Sequence, residues 1–383
     1  MVETLEKQQT LQFQCLDKLT LDKNIDRIIP FDEPNQYLTA SYHLNKETQE
    51  KSGNLSIINI TEDNKLKLQA KTIDFDYGVL SIKHESGNIY SIGTSKGDVQ
   101  FLELQIDQST NTLTHKIVQN YSSSNTNSKD SDLMKEQQTA TNDICLMHDT
   151  SEKYVVNGMH GGRVLVHDRE SGKILSDFIP HEYDIWYVHL TQDQNYLYTC
   201  GDDQKHIKHD LRMKLDLDQS SAPLNAVYTC KKHDAGVTWI LKESAFDQSL
   251  DSSHYVMTGS YDGKIKLWDE RNMRGGEVQS LDTGGKSVWD IKFNSNDSNH
   301  QSNLSFGAAA IYDGYLLGEF SQGQLKFSSY SSQDFNLDNF NLQSYTGHES
   351  ICYAFEFIPN SDMILTSSFY DSTLHLLKVN NQC

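Results

Sequence analysis

No run in the 383 residues approaches the ~18 consecutive apolar residues that a helix needs to cross a bilayer. The opening residues, MVETLEKQQTLQFQ, lack the apolar core of a signal peptide. Both absences predict a soluble, cytoplasmic protein with no membrane contact. Cysteine is sparse: Cys15, Cys145, Cys200, Cys230, Cys352 and Cys383 stand far apart, without CxxC or zinc-type Cys/His spacing. Reduced thiols and no metal are expected. Positive charge is also short, with 33 Lys+Arg against 53 Asp+Glu, a formal net charge of −20 and no basic run. A surface for nucleic acid phosphates needs the opposite sign, so nucleic acid is excluded as a partner. The acidity instead favours basic partners or cationic groups. Finally, no GxSxG elbow, P-loop or HExxH is present.

With only 5 prolines against 22 glycines and 19 tyrosines, the composition suits many short strands joined by turns. The clearest unit is Thr258–Arg271, TGSYDGKIKLWDER. A strand ends at Ser260, Tyr261-Asp262-Gly263 makes a tight turn, and a second strand sets Ile265 and Leu267 inward and Lys264 and Lys266 outward. Trp268-Asp269 closes it, as in WD repeats. Copies of this phrase recur at Thr199–Arg212, with His209 at the Trp position, and at Ser367–Val379, with Leu377 there. Weaker copies lie at Val156–Arg169, Gly93–Leu104, Gly307–Phe320 and Ser41–Ile60, making seven in all.

A further strand precedes each copy, at Ile28-Ile29, Val79–Ile82, Asp143–Met147, Ile185–His189, Val237–Leu241, Val288–Phe293 and Cys352–Phe357. The pattern predicts an all-β, seven-bladed WD-repeat β-propeller over residues 1–383 as one domain. The weakly alternating segment at about 11–21 is expected to close the last blade. Residues 105–142 start with polar strand-like residues, become SSSNTNSKDSD and are expected to be a disordered loop, with a shorter surface loop at 295–303. His181, His233 and His348 precede three copies and suit structural hydrogen-bond networks. In blade five the expected members are His233, Ser260, Asp262 and Trp268.

The residues just before the turn aspartates fall at equivalent ring positions on one face: His160, Asp202, Tyr261, Tyr312 and Tyr370. Tyrosine there serves either to pack the turn or to line an aromatic, acidic mouth. Trp186, Trp239, Trp289 and Tyr353 in the first strands either cover the core or face the channel. A mouth with π faces and carboxylates favours a quaternary ammonium. Trp186, Tyr261, Trp289, Tyr312, Tyr353 and Tyr370 are therefore candidate substrate-binding residues. His160 lacks a packing role and is a candidate for proton transfer, as is the Asp202 carboxylate for activating water. Tyr261 and Tyr370 hydroxyls are candidate oxyanion donors.

Several phrases go beyond generic repeats: Gly259-Ser260-Tyr261-Asp262 running to Leu267-Trp268-Asp269-Glu270-Arg271-Asn272-Met273, then Gly284-Gly285-Lys286-Ser287-Val288-Trp289, and Ser368-Phe369-Tyr370-Asp371. Together with His181-Glu182-Tyr183-Asp184-Ile185-Trp186 they resemble the WD-repeat diphthine methyl ester hydrolases, over roughly residues 20–380. His209 and Leu377 depart from it, standing where such proteins usually carry tryptophan, as does the AAAIYDG phrase of blade six. The resemblance implies a carboxylic ester hydrolase of diphthamide biosynthesis that needs no cofactor. It would remove the methyl ester of methylated diphthine on elongation factor two, giving diphthine and methanol, and would work as a monomer. It transfers no catalytic role to a named position. The rival class is a non-catalytic scaffold for a protein complex, since most propellers are binding platforms.

Overall fold

Each sequence copy folds as antiparallel strands whose faces are covered by the neighbouring blades. The structure is a computed structural model; it describes residues 11–70, 72–123, 143–212, 224, 226–242, 254–294, 303–321 and 341–381. The chain enters with β1 (Leu11–Thr20). Blade one follows as β2 (Asn24–Pro30), β3 (Gln36–Leu44) and β4 (Lys51–Ile60), with the short β5 (Leu66–Leu68) and β6 (Ile73–Phe75) both paired to β4. Blade two is β7 (Val79–Ser86), β8 (Ile89–Thr94), β9 (Val99–Asp107) and β10 (Thr112–Tyr121). Blade three is β11 (Cys145–Thr150), β12 (Tyr154–Met159), β13 (Val164–Asp168) and β14 (Ile174–Phe178). Blade four is β15 (Ile185–Leu190), β16 (Tyr196–Gly201), β17 (His206–Asp210) and β18 (Ala226–Cys230). Blade five is β19 (Val237–Lys242), β20 (Tyr255–Ser260), β21 (Lys264–Asp269) and β22 (Gln279–Asp282). Blade six is β23 (Val288–Phe293), β24 (Asn303–Ala310), β25 (Gly314–Ser321) and β26 (Asn341–Tyr345). Blade seven holds β27 (Phe355–Phe357), β28 (Met363–Ser368) and β29 (Thr373–Asn381), and β1 completes it by pairing with β29. The result is an all-β, seven-bladed propeller.

The first strands of the blades form the inner wall. Neighbours β2–β7, β7–β11, β11–β15, β15–β19, β19–β23 and β27–β2 abut. Because blades cover each other on both sides, strand alternation does not give one wet face. Lys266 was expected to point outward, but it is buried, with its ammonium on the Lys232 carbonyl at 2.7 Å and over the Trp268 ring at 5.7 Å. Long aliphatic stems let lysine line such an interface while its charge reaches a polar atom.

Two loop expectations also change. Residues 105–121 are not a loop: Gln105–Asp107 finish β9, and β10 runs antiparallel to it. This outer strand buries only Leu113 and Tyr121 near its two ends, and Ile117 and Val118 between them are adjacent and exposed, so it carries no apolar period. Residues 124–142 and 295–302 lie outside the described residues, while Asn303 begins β24.

β1 does more than cover an edge. Phe13 packs edge-on against Tyr315 and Tyr345, with ring centroids 5.9 and 6.0 Å away. Leu16 and Leu19 pack on a core cluster that includes Ile25, Leu374 and Leu376, which joins blades seven and one. Deleting residues 1–20 should therefore lower the melting temperature by at least several degrees, since ~1 kcal/mol is worth about 2–4 °C in a large domain. Thermal melts of the truncated and full chains test this; coincident curves would show that β1 is dispensable to the ring.

Candidate functional site

The hydrogen-bonded network in blade five is real but has a different hydroxyl. His233 Nδ1 bonds Asp262 Oδ2 at 2.8 Å, His233 Nε2 bonds Thr258 Oγ1 at 2.8 Å, and Trp268 Nε1 donates to the same Thr258 Oγ1 at 2.8 Å. Ser260 is outside this chain; its hydroxyl donates to the Ala235 carbonyl and accepts from the Asp262 amide. The reason is register. Trp268 lies opposite Val256, so Thr258 is its diagonal neighbour on the same face, while Ser260 sits two residues further along β20. Blade four repeats the pattern with His181, Asp203 and Thr199, and His209 Nε2 meets Thr199 Oγ1 at 3.1 Å in the tryptophan's place. Burial works to raise the Asp262 carboxyl, but the His233 hydrogen bond and the backbone amides of Asp234 and Lys264 prevail and hold it at about 2.

These networks fix the turns that carry the mouth. After Asp262, Gly263 takes φ +76°, and a Cβ there would meet the Gly285 backbone at 2.8 Å. The turn sets Tyr261 against Trp186 and Trp289. A second glycine, Gly236, makes the close approach possible: a Cβ on it would lie 2.5 Å from Asp202 Oδ1 and 3.1 Å from the Tyr261 ring. Asp202 Oδ1 also accepts from Trp186 Nε1 at 3.4 Å.

The aromatic residues then run on without a gap. Trp186 meets Tyr261 and Trp289 edge-on at 6.3 and 5.3 Å. Tyr261 stacks on Trp289 at 5.9 Å, and Trp289 stacks on Tyr353 at 4.8 Å. Tyr353 touches Phe369, which touches Tyr370. Burial, together with the negative charge of Asp202 and the neighbouring phenols, raises the Tyr261 hydroxyl above its ordinary value; Tyr353 is raised by burial and by Asp26. Both phenols thus stay protonated and can donate.

The structure brings together Asp202, Trp186, Tyr261, Trp289 and Tyr353, with Tyr370 at the end of the row. Tyr312 is 80% exposed and Tyr370 71% exposed, and the Tyr312 phenol is near enough to help raise the Tyr261 and Tyr353 hydroxyls. Trp239 belongs to the core, packed with Met257, Ile265 and Leu267. His160 lies in a short 3-10 turn at His160–Gly162, half exposed, with Nδ1 2.7 Å from Asp184 Oδ1. Asp184 also accepts from the Gly161 amide at 2.9 Å, and its backbone carbonyl accepts from Asp202 N. Sequence reasoning missed Asp184.

It also missed Asp26 and Arg27, and the signal is positional. In six blades the first strand is bulged, at Asp26, Leu80, Leu146, Trp186, Thr238 and Trp289. Each follows a fully buried Ile25, Val79, Cys145, Ile185, Val237 or Val288, and Tyr353 follows Cys352 in the same way. Aligning the chain on that buried residue would have put Asp26 in one ring with Trp186, Trp289 and Tyr353. Thr238 is the small member of this ring, and its hydroxyl is used internally on the Val288 carbonyl at 2.7 Å. That leaves room for Trp186 and Trp289, two blades apart, to touch.

Comparison with known proteins agrees with the architecture. The WD domain, G-beta repeat model matches residues 224–269 and 340–377. The chain carries WD40 repeats. Over 228 residues it is 28% identical to a diphthine methyltransferase of Schizosaccharomyces pombe, covering 59% of this chain and 60% of that protein. Over 224 residues it is 28% identical to the diphthine methyltransferase of Saccharomyces cerevisiae, covering 54% of this chain and 50% of the other. The aligned region thus spans about half to three fifths of the length of these curated relatives. A chain of the mitotic checkpoint complex crystal structure superposes with a TM-score of 0.59 at 16% identity, covering 94% of this chain and 90% of that one, which shows the fold alone.

The corrected network makes a prediction. Thr258→Val should cost about 1–3 kcal/mol, because it leaves buried His233 and Trp268 nitrogens without their shared partner. Ser260→Ala should cost less. Because the folded Asp262 carboxyl titrates below its unfolded value, its contribution is complete above about pH 4 and is lost as pH falls toward 2. Asp262→Asn should flatten that acid limb. Urea unfolding across pH 2–7 gives all three; equal losses for the valine and alanine variants would return Ser260 to the network.

Proposed function

We propose that this protein acts in diphthamide biosynthesis as a methyl ester hydrolase, releasing methanol from methylated diphthine on elongation factor two. The observation that carries the reading is the continuous wall from Trp186 through Tyr261 and Trp289 to Tyr353, bordered by Asp202. A trimethylammonium group lies well against such rings, because their π faces are electron-rich and the carboxylate adds charge. The similarity to curated diphthine methyltransferases supports the same pathway. Methyl transfer needs a methyl donor, whereas hydrolysis needs only water.

In this reading His160 is the base. Donation of its Nδ1 proton to Asp184 leaves Nε2 as the acceptor. Nε2 takes a proton from water as the water oxygen attacks the ester carbonyl. The phenol of Tyr261 donates to the resulting oxyanion. When the C–OCH3 bond breaks, the proton held on His160 passes to the leaving oxygen, giving methanol and a free carboxyl group. Asp202 is the alternative base, and its bond to Trp186 also ties it to the ammonium wall.

The deciding experiment is methanol release from methylated diphthine on elongation factor two by the purified chain, with no methyl donor added. His160→Ala should lower kcat by ~10²–10⁴ and leave the melting curve almost unchanged, since the side chain is half exposed. Tyr261→Ala should raise KM several-fold to about tenfold, for a loss of ~0.5–2 kcal/mol of ring contact. Tyr261→Phe should keep KM and lower kcat. Substrate binding without methanol release would favour a scaffold, with the exposed Tyr312 and Tyr370 as contact residues.

A further inference from the structure

Two neighbouring residues of β2 carry opposite charges at the channel rim and do not neutralise each other. Asp26 occupies the bulge position in the ring that also holds Trp186, Trp289 and Tyr353. It is only 7% exposed, yet its carboxylate has no hydrogen bond or ion pair among the described residues. Arg27 places its guanidinium carbon 6.0 Å from the Trp289 ring centroid; its single described hydrogen bond goes to the Asp26 backbone carbonyl at 3.4 Å. An unpaired carboxylate this deep is costly, and arginine is the usual remedy for it. Other channel strands apply that remedy. Lys83 pairs with Asp149, His189 Nδ1 lies 3.7 Å from the same carboxylate, and Lys292 pairs with Glu356 at 2.8 Å. Asp26 has no such partner among the described residues, and with Arg27 it sits beside the aromatic wall.

We propose that Asp26, Arg27 and the Trp289–Tyr353 stack form a binding site for a betaine head group, a quaternary ammonium with an adjacent carboxyl carbon. Asp26 is the counter-charge of the ammonium, which rests against the two rings. Arg27 takes the carboxyl oxygens. The natural ligand rests on the function proposed above, whose substrate bears both a trimethylammonium and an ester carbonyl, but the site itself is testable without it. Burial pushes the Asp26 carboxyl up to about 6, against the pull of Arg27 and with the help of Asp290. A bound cation would stabilise the ionised form. The titratable groups around it are Arg27 on its own strand, Asp290 on β23, and the Tyr42 and Tyr353 phenols, which its charge helps to raise.

The probe is glycine betaine, titrated into the full chain and followed by tryptophan fluorescence, with tetramethylammonium and acetate as separate ligands. At pH 8 the wild type should saturate with betaine and bind it about tenfold or more tightly than tetramethylammonium, with acetate weakest. Arg27→Gln should erase the preference for betaine. Asp26→Asn, which keeps the shape and removes a buried charge, should weaken both cationic ligands about tenfold. Affinity in the wild type should fall about tenfold between pH 8 and pH 5, as a carboxylate titrating near 6 is protonated, and that dependence should vanish in Asp26→Asn. The wild-type pH series tests the carboxylate even if a variant folds poorly. No saturable betaine signal up to 100 mM, or a pH dependence that survives in Asp26→Asn, overturns the proposal. Betaine binding with no methanol release would leave the site standing and remove the hydrolase reading.

Discussion

One residue of slack in each inner strand organises this molecule. Seven first strands must converge on a channel while their neighbours spread outward. In six of them the register slips by one residue near the rim. A bulge bends the strand and re-aims a side chain that would otherwise pack between blades. The residue before each slip is fully buried and pins the blade to its neighbours, so the next one is delivered to the rim at a fixed place. Chemistry at the mouth is then a matter of which seven residues occupy that position. Here they are Asp26, Leu80, Leu146, Trp186, Thr238, Trp289 and Tyr353. Two neighbours are leucines, three members are aromatic with the small Thr238 between the two tryptophans, and a lone acid stands where Tyr353 meets blade one.

The turn networks are the second constraint. A histidine, a threonine and an aspartate hold each turn of blades four and five, and so fix the places of Asp202 and Tyr261 on those turns. That arrangement tolerates exchange at the fourth member: His209 reaches the same threonine hydroxyl that Trp268 reaches one blade on. Blade seven is looser. His348 bonds Thr366, while Asp371 turns to the hydroxyls of Ser368 and Thr373 and leaves the histidine. With Leu377 in place of tryptophan there is no indole to complete the set, and Tyr370 on that turn stands out into solvent.

Repeat spacing made the blades legible from residue types alone, because the turn and the WD-like close recur wherever a hairpin must be made. The same local pattern misled at Ser260. Serine next to the turn looks like the network hydroxyl, but a diagonal contact depends on strand register, and register is set by pairing across the hairpin. The outward lysine expected at Lys266 failed for a related reason: period two assumes one wet face, and a blade inside a ring has none. β10 was missed from the opposite side, since an outermost strand with few buried residues has little period to read. In the mouth, Trp186, Tyr261, Trp289 and Tyr353 were visible as aromatics at repeated positions. Asp184 and Asp26 were not, because their importance lies in partners: the one has His160, and the other has no ion pair among the described residues.

That last difference separates structural from functional charge in this protein. With a net charge of −20, carboxylates are abundant, and their presence near a cleft means little. Several deeply placed ones are paired among the described residues: Asp203 and Asp262 are hydrogen-bonded to histidines, Glu270 is paired with Lys208 and Lys242, and Asp149 with Lys83. Such pairs fix geometry, and they have no charge left to offer a ligand. Asp26 has no ion pair among the described residues, and the pull of Arg27 one residue away does not offset the cost of burying its carboxylate. Stability given up at a rim lined by Trp289 and Tyr353 is the kind of local conflict that a bound cation would resolve, by replacing water the carboxylate has largely lost with a charge it lacks.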